Sequence, residues 1–329
     1  MHVNRSRKPA SRLPFATMSR IAYVFPGQGS QSVGMGRDLA ASSPDAAAVW
    51  SAADAALDES ISTLAWDGPA DVLDRTEQAQ PAILAASIAI LRTLPDLRPA
   101  FAAGHSMGQY SALVAAGVMS LDDGIRLVRR RGQLMQASGE GRDGAMAALI
   151  GLDDGRIPEL IEAASAHGTF VVANRNAPGQ VVVSGERAAI EAGAEIAKGL
   201  GAKRAIVLPV SVAAHSPLMA TAARGMSDAL ATVSVADPGI TLLANADARQ
   251  ITTAAGARAE LVEHLTAGVD WVGAVTAMCA AGVTTFVEVG PGKVLTGLIK
   301  RIAPDVEVIP ADDPASRERL NELASSPTT

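Results

Sequence analysis

Ser106 sits between glycines in Gly104-His105-Ser106-Met107-Gly108, and no other residue of this 329-residue chain is better placed for covalent chemistry. The apolar run Phe101-Ala102-Ala103 precedes it, and a helical stretch from Tyr110 to Ala116 follows. A G-x-S-x-G turn between a strand and a helix lifts a serine hydroxyl clear of a sheet. The glycines are required because strand and helix pass there too closely for a Cβ. Free N–H groups at the start of the helix can stabilise a nearby anion. The chemistry indicated is nucleophilic attack by Ser106.

A serine attacks once a base takes its proton. Of the five histidines, His2 lies in the N-terminal segment, His105 adjoins the serine and should point away, and His167 ends a predicted helix. His215 follows Val210-Ser211-Val212-Ala213-Ala214 and precedes Ser216-Pro217, a loop between strand and helix where a base belongs. His264 falls mid-helix beside Leu261 and Leu265. Both remain candidates on pattern alone.

Arg131 is the second clue. Leu121, Ile125, Leu127, Val128, Leu134 and Met135 form the apolar face of a helix, and the helical period puts Arg131 inside that face. Arg130 falls on the solvated side and Arg129 at the edge. A buried guanidinium needs an anion, because burial alone is costly. The anion is an Asp or Glu of the chain, or a substrate carboxylate held bidentately; otherwise the side chain snorkels to solvent. Gln28, in the turn Pro26-Gly27-Gln28-Gly29-Ser30-Gln31 after a strand, can pair its backbone N–H with that of Met107 as an oxyanion hole. A phosphate loop is the rival reading, but neither this turn nor Gly290-Pro291-Gly292-Lys293 has the required spacing. No metal-ligand spacing of His, Cys or carboxylates is evident.

The elements that must position these residues alternate. Strands are predicted at 21–25, 101–104, 242–245, 284–289 and 306–309, with helices at 44–58, 80–94, 121–135, 257–265, 271–281 and 293–302. A further helix starts at Ser216-Pro217. Such alternation predicts a mostly parallel sheet whose strand ends carry the site. Between Gly144 and Val210 the order changes to βαββαβ, the ferredoxin-like pattern, with strands at 145–150, 169–173, 180–184 and 204–210. The expected division is a large α/β part over 18–142 and 211–312, an inserted part over 143–210, and a loose polar tail over 313–329. Residues 1–17, basic and without acids, read as a disordered or miscalled extension, with a targeting peptide as the alternative.

Composition narrows the function. The formal charge of −6 and 3% aromatic content argue against nucleic-acid binding. No apolar run is long enough to span a bilayer. Cys279, the only cysteine, excludes an internal disulfide and reads as a buried small hydrophobe, which suits a reducing, cytoplasmic setting.

With these residues in hand, the chain resembles the malonyl-CoA:acyl-carrier-protein transacylases of type II fatty-acid synthesis over roughly residues 20 to 310. The resemblance rests on Phe25 to Gln31, Gln80-Pro81-Ala82, Gly104 to Gly108, Arg131-Gly132, Asn176 to Gln180, Ser211 to His215 and Glu288 to Leu295. It implies an α/β-hydrolase-like large subdomain with a ferredoxin-like insert. It also implies a ping-pong transfer without cofactor. Ser106 attacks malonyl-CoA, His215 accepts the proton, the N–H groups of Gln28 and Met107 hold the oxyanion, and Arg131 binds the malonyl carboxylate. The phosphopantetheine thiol of acyl carrier protein then takes the acyl group.

Gln80 and Gln180 match positions lining the family's site, and a backbone carbonyl near Ala267-Gly268 matches the one that orients the histidine. Gln109 stands where the family usually has Glu. Such enzymes are commonly monomeric. An acidic carrier would need a basic patch, for which Arg129, Arg130, Lys203, Arg204, Lys293, Lys300 and Arg301 are candidates. Two alternatives stay open. One is a polyketide acyltransferase taking methylmalonyl units beside the small Ala213-Ala214. The other is a serine hydrolase using Ser106, His264 and an acid such as Asp247.

Overall fold

Strand β1 (Arg20–Phe25) points Ile21, Tyr23 and Phe25 into one apolar cluster and Ala22 and Val24 into another. It is therefore buried on both faces, as a central strand between two helical layers must be. The computed structural model describes residues 20–139, 143–210 and 212–325. The expected extension over 1–17 and Ser211 lie outside them.

The other strands are β2 (Phe101–Gly104), β3 (Gly144–Ile150), β4 (Phe170–Ala177), β5 (Gln180–Glu186), β6 (Arg204–Val207), β7 (Thr241–Leu243), β8 (Gln250–Ile251), β9 (Val269–Asp270), β10 (Val283–Glu288) and β11 (Glu307–Pro310). The larger sheet has the order β11-β10-β1-β2-β7-β8 and is parallel except for the edge pair β7–β8. The smaller sheet has the order β6-β3-β5-β4-β9. Its first four strands carry the βαββαβ connectivity, with helices Ile157–Ser165 and Arg187–Gly199 on one face and a separate apolar core. The molecule is thus an α/β fold with a ferredoxin-like insert in a hydrolase-like sheet.

Three differences from the sequence-based expectations have local causes. The helix bearing Gln80 starts earlier, spanning Thr76–Thr93 with Pro81 inside. His264 is not mid-helix: the helix is Ala254–Glu263, and His264 caps its end. The tail after Asp312 is not loose as far as Ser325, because Arg317–Ser325 is a helix. Its Leu320 is buried in the main core, and Arg319 pairs with Glu307 of β11. Cys279 is half-buried, packed against the second core cluster from the helix Trp271–Ala280.

Strands β8 and β9, of two residues each, are too short to show a period. Strand β9 matters beyond its length. It pairs in parallel with β4 (Asn174↔Val269, Arg175↔Asp270), so the insert's sheet is stitched to the loop that leads from His264.

Candidate active site

The close approach expected at the elbow is observed. A Cβ on Gly104 would lie 1.9 Å from the carbonyl carbon of Gly108, and one on Gly108 would lie 2.2 Å from the Phe25 carbonyl oxygen. No side chain fits either contact. Between them Ser106 takes φ 53°, in the left-handed region, which a non-glycine residue occupies only when its surroundings hold it there. One restraint is Asn245, whose Oδ1 accepts the Ser106 backbone N–H at 2.9 Å. Another is Gln109, fully buried, whose Oε1 accepts from Gly104 N at 3.0 Å while its Nε2 donates to the Leu243 carbonyl at 3.0 Å. One amide thus joins the carboxyl ends of β2 and β7. It supplies an acceptor and a donor together, whereas a glutamate would need to hold a proton to do the same.

His215 reaches the serine from the strand-end loop, also at a left-handed φ of 57°. Its Nε2 lies 2.8 Å from Ser106 Oγ. Its Nδ1 lies 2.7 Å from the His264 carbonyl and 3.2 Å from that of Ala267. A carbonyl only accepts, so Nδ1 carries the proton and Nε2 presents its lone pair to the hydroxyl. Burial, then the positive charge of Arg131, pushes His215 down to about 4. The imidazole is therefore neutral at neutral pH. The Ala267 carbonyl anticipated from sequence is present, but the nearer one belongs to His264.

Arg131 is 1% exposed and makes no ion pair with any acid among the described residues. The readings of an internal salt bridge and of a snorkelling side chain both fail. Its Nη2 donates to Ser106 Oγ at 3.1 Å, and its guanidinium stands 5.9 Å from the centre of the Tyr110 ring. Burial lowers the Arg131 pKa. The neighbouring Gly132 sets this depth: a Cβ there would lie 2.6 Å from the Cα of Glu77, so the helices Leu121–Gly139 and Thr76–Thr93 touch backbone to backbone.

Ser106, His215 and Arg131 open into one cleft of about 1040 Å³, which Gln28 also lines. Among the described residues, neither the Gln28 nor the Met107 backbone N–H has a protein acceptor. The insert forms the opposite wall through Asn174, Asn176 and Val182. Asn176 Oδ1 lies 2.8 Å from His105 Nε2, which turns His105 away from the serine, edge-on to Trp271.

Two expected lining residues lie elsewhere. Gln180 is at the tip of the β4–β5 hairpin, paired with Ala177 across a two-residue turn and bound by Arg301. The hairpin carries Asn174 and Asn176 to the cleft instead. Gln80 is fully buried behind Met135, donating to its Sδ at 3.8 Å, so only Met135 reaches the cleft. Asp247 is spent on Arg249, and the His264 ring faces Arg131 rather than Ser106, which removes the hydrolase alternative.

Asn245 and the His264 carbonyl are not marked as site groups in the sequence, and Asn176 stands there only as the first residue of a motif. Asn245 carried a usable signal, since a polar residue at the carboxyl end of a predicted strand is where sites form. A backbone carbonyl carries none.

This fold defines an acyltransferase, and residues 22–314 match the family model of the acyl transferase domain. A malonyl CoA-acyl carrier protein transacylase of Escherichia coli (strain K12) is 43% identical over 309 residues, covering 93% of this chain and all of that one. Its counterpart in Bacillus subtilis (strain 168) is 41% identical over 304 residues, covering 92% and 96%. The acyl-carrier-protein S-malonyltransferase structure from Bartonella henselae superposes with a TM-score of 0.90 at 42% identity, covering 93% of this chain and 99% of that one. A malonyl-transacylase solved in complex with a type II PKS acyl-carrier protein matches with a TM-score of 0.88 at 39% identity, covering 92% and 99%. The chain belongs to the malonyl CoA-acyl carrier protein transacylase family.

Proposed function

We propose that the enzyme moves a malonyl group from malonyl-CoA to the phosphopantetheine thiol of an acyl carrier protein through a malonyl-Ser106 ester. The observation that carries this reading is a buried guanidinium with no internal counter-ion, in hydrogen-bond contact with a serine hydroxyl. A free carboxylate on the acyl group supplies the missing anion. Arg131 grips it bidentately, and the thioester carbonyl is left beside Ser106.

Ser106 Oγ attacks that carbonyl as its proton passes to His215 Nε2. The N–H groups of Gln28 and Met107 hold the oxyanion. Collapse breaks the carbon–sulfur bond, and the CoA thiolate leaves with the proton from His215. In the second half the carrier thiol gives its proton to His215, attacks the ester carbonyl, and the released Ser106 oxygen regains the proton. A carboxylate on Arg131 also cancels the field that helps depress His215, so the base strengthens when the right substrate is seated. His264 and Ala267 hold the imidazole through carbonyls, so no acid completes a triad. Both halves are written with this chain's own side chains and backbone groups.

The similarity to malonyl CoA-acyl carrier protein transacylases favours malonyl over the branched-unit alternative. The carrier, being acidic, meets a reduced set of cations. Arg129 is spent on Glu59 and Gln78, and Arg301 on Gln180 and the Pro178 carbonyl. Arg130, Lys203, Arg204, Lys293 and Lys300 stay exposed. No described helix is long and apolar enough to cross a membrane. The proposal is of a cytoplasmic enzyme that acts as a monomer on a diffusing carrier. The test is intact-protein mass spectrometry after mixing with malonyl-CoA. One malonyl adduct on Ser106 is expected, absent in Ser106→Ala and discharged by holo carrier protein. An adduct elsewhere, or none, refutes the reading.

A further inference from the structure

Behind the cleft, the mechanism leaves two groups unused. Glu260 is a carboxylate with no exposure, and His264 is an imidazole with no exposure, one turn further along the same segment. Glu260 Oε1 accepts from the backbone N of Asn245 at 2.7 Å and from its Nδ2 at 3.2 Å. It also stands 3.9 Å from His264 Nδ1, which has no hydrogen-bond partner. On the other side of the ring, His264 Nε2 lies 3.5 Å from Arg131 Nη2. Tyr110 packs edge-on against His264 and beneath Arg131. From the solvent side Arg249 approaches Glu260 Oε2 at 3.7 Å, but it is engaged with Asp247 and Glu263.

Arg131 Nη2 can only donate, so the facing His264 nitrogen must present a lone pair. The ring proton then sits on Nδ1, on the side of Glu260. The opposite tautomer would set N–H against N–H and a lone pair against a carboxylate. Charge and tautomer thus agree along the line Glu260, His264, Arg131.

We infer that Glu260 and His264 form a positioning pair that aims the Arg131 guanidinium and so sets how strongly the enzyme prefers a carboxylate-bearing acyl group. Glu260 fixes the tautomer of His264, and His264 accepts from Arg131. Neither touches substrate. The inference rests on the malonyl-transfer reading. Because Glu260 also supports Asn245, and Asn245 holds the Ser106 backbone, losing it affects all donors to some degree. The selectivity between donors separates the two roles.

The experiment measures kcat/KM for Ser106 acylation by malonyl-CoA and by acetyl-CoA in five proteins: wild type, Arg131→Ala, Glu260→Gln, His264→Phe and His264→Gln. Glu260→Gln keeps the acceptor for Asn245 but removes the charge, and His264→Phe keeps the ring but removes the nitrogens. The backbone carbonyl to His215 survives in all of them. The malonyl:acetyl ratio is expected to fall roughly 5- to 10-fold in Glu260→Gln and in His264→Phe, the loss of about one hydrogen bond. His264→Gln should restore most of it, since its amide oxygen can accept from Arg131 while its NH₂ donates toward Glu260.

Equal losses for both donors, an unchanged ratio, or no recovery in His264→Gln overturns the inference. If Glu260→Gln does not fold, the two His264 variants decide. Arg131→Ala keeps the hypotheses apart. If its ratio is that of wild type, the carboxylate reading itself has failed. If its ratio collapses while the pair variants do not change, only the positioning role is lost.

Discussion

Replacing Arg131 by alanine removes a buried cation of the cleft that has no anionic partner among the described residues. Two effects must be separated. The contact from Nη2 to Ser106 Oγ at 3.1 Å is available to every acyl donor, so its loss lowers acylation by malonyl- and acetyl-CoA alike. The ion pair with a malonyl carboxylate exists for one donor only. Losing one partner of a desolvated, hydrogen-bonded charge pair costs about 2–5 kcal/mol. That corresponds to a loss of roughly 30-fold to several thousandfold in kcat/KM for malonyl-CoA beyond whatever acetyl-CoA loses. Burial of Arg131 at 1% exposure argues for the upper half of that range, because little water screens the site. The assay is single-turnover acylation of Ser106 by each donor, followed by mass. A malonyl:acetyl ratio equal to that of wild type would show that Arg131 is structural.

Two other outcomes are expected. His215 is pushed down to about 4 by burial and Arg131, whereas an unfolded histidine titrates near 6.5. The unfolded chain therefore binds more protons between those values. The histidine's contribution is complete above about 6.5 and is lost as pH falls toward 4, at up to about 1.4 kcal/mol per pH unit. Buried Glu260 and Glu288 are raised by desolvation and act in the opposite sense, so the comparison is between wild type and His215→Asn. Urea unfolding at pH 7 and pH 5 should show a smaller stability drop in the variant, and equal drops would discard the assignment. Gln109→Leu strands the Gly104 N–H and the Leu243 carbonyl in a buried place, at about 1–3 kcal/mol each. A clear fall in Tm together with slower Ser106 acylation is expected, and an unchanged Tm would mean the bridge is not needed.

Local pattern was enough for much of this protein. The apolar strand, glycine elbow and following helix placed Ser106, because the backbone that forbids a Cβ on Gly104 is that of Gly108, four residues on; the matching demand at Gly108 comes from Phe25, at the end of a distant strand. The helical period placed Arg131 on a buried face, and the βαββαβ order revealed the insert. What local pattern left open was which groups meet. His215 and His264 were equally available along the chain; only the fold puts one ring on Ser106 and turns the other to Arg131. Gln180 sits at a hairpin tip bound by Arg301, because the turn decides which end of a strand reaches the cleft. The carbonyls that orient His215 and the Asn245 clamp join residues tens of positions apart through a backbone oxygen or a buried amide. Periodicity reports which face of an element is buried. It does not report what that face will touch, and at this site the partners of each buried charge decide the chemistry.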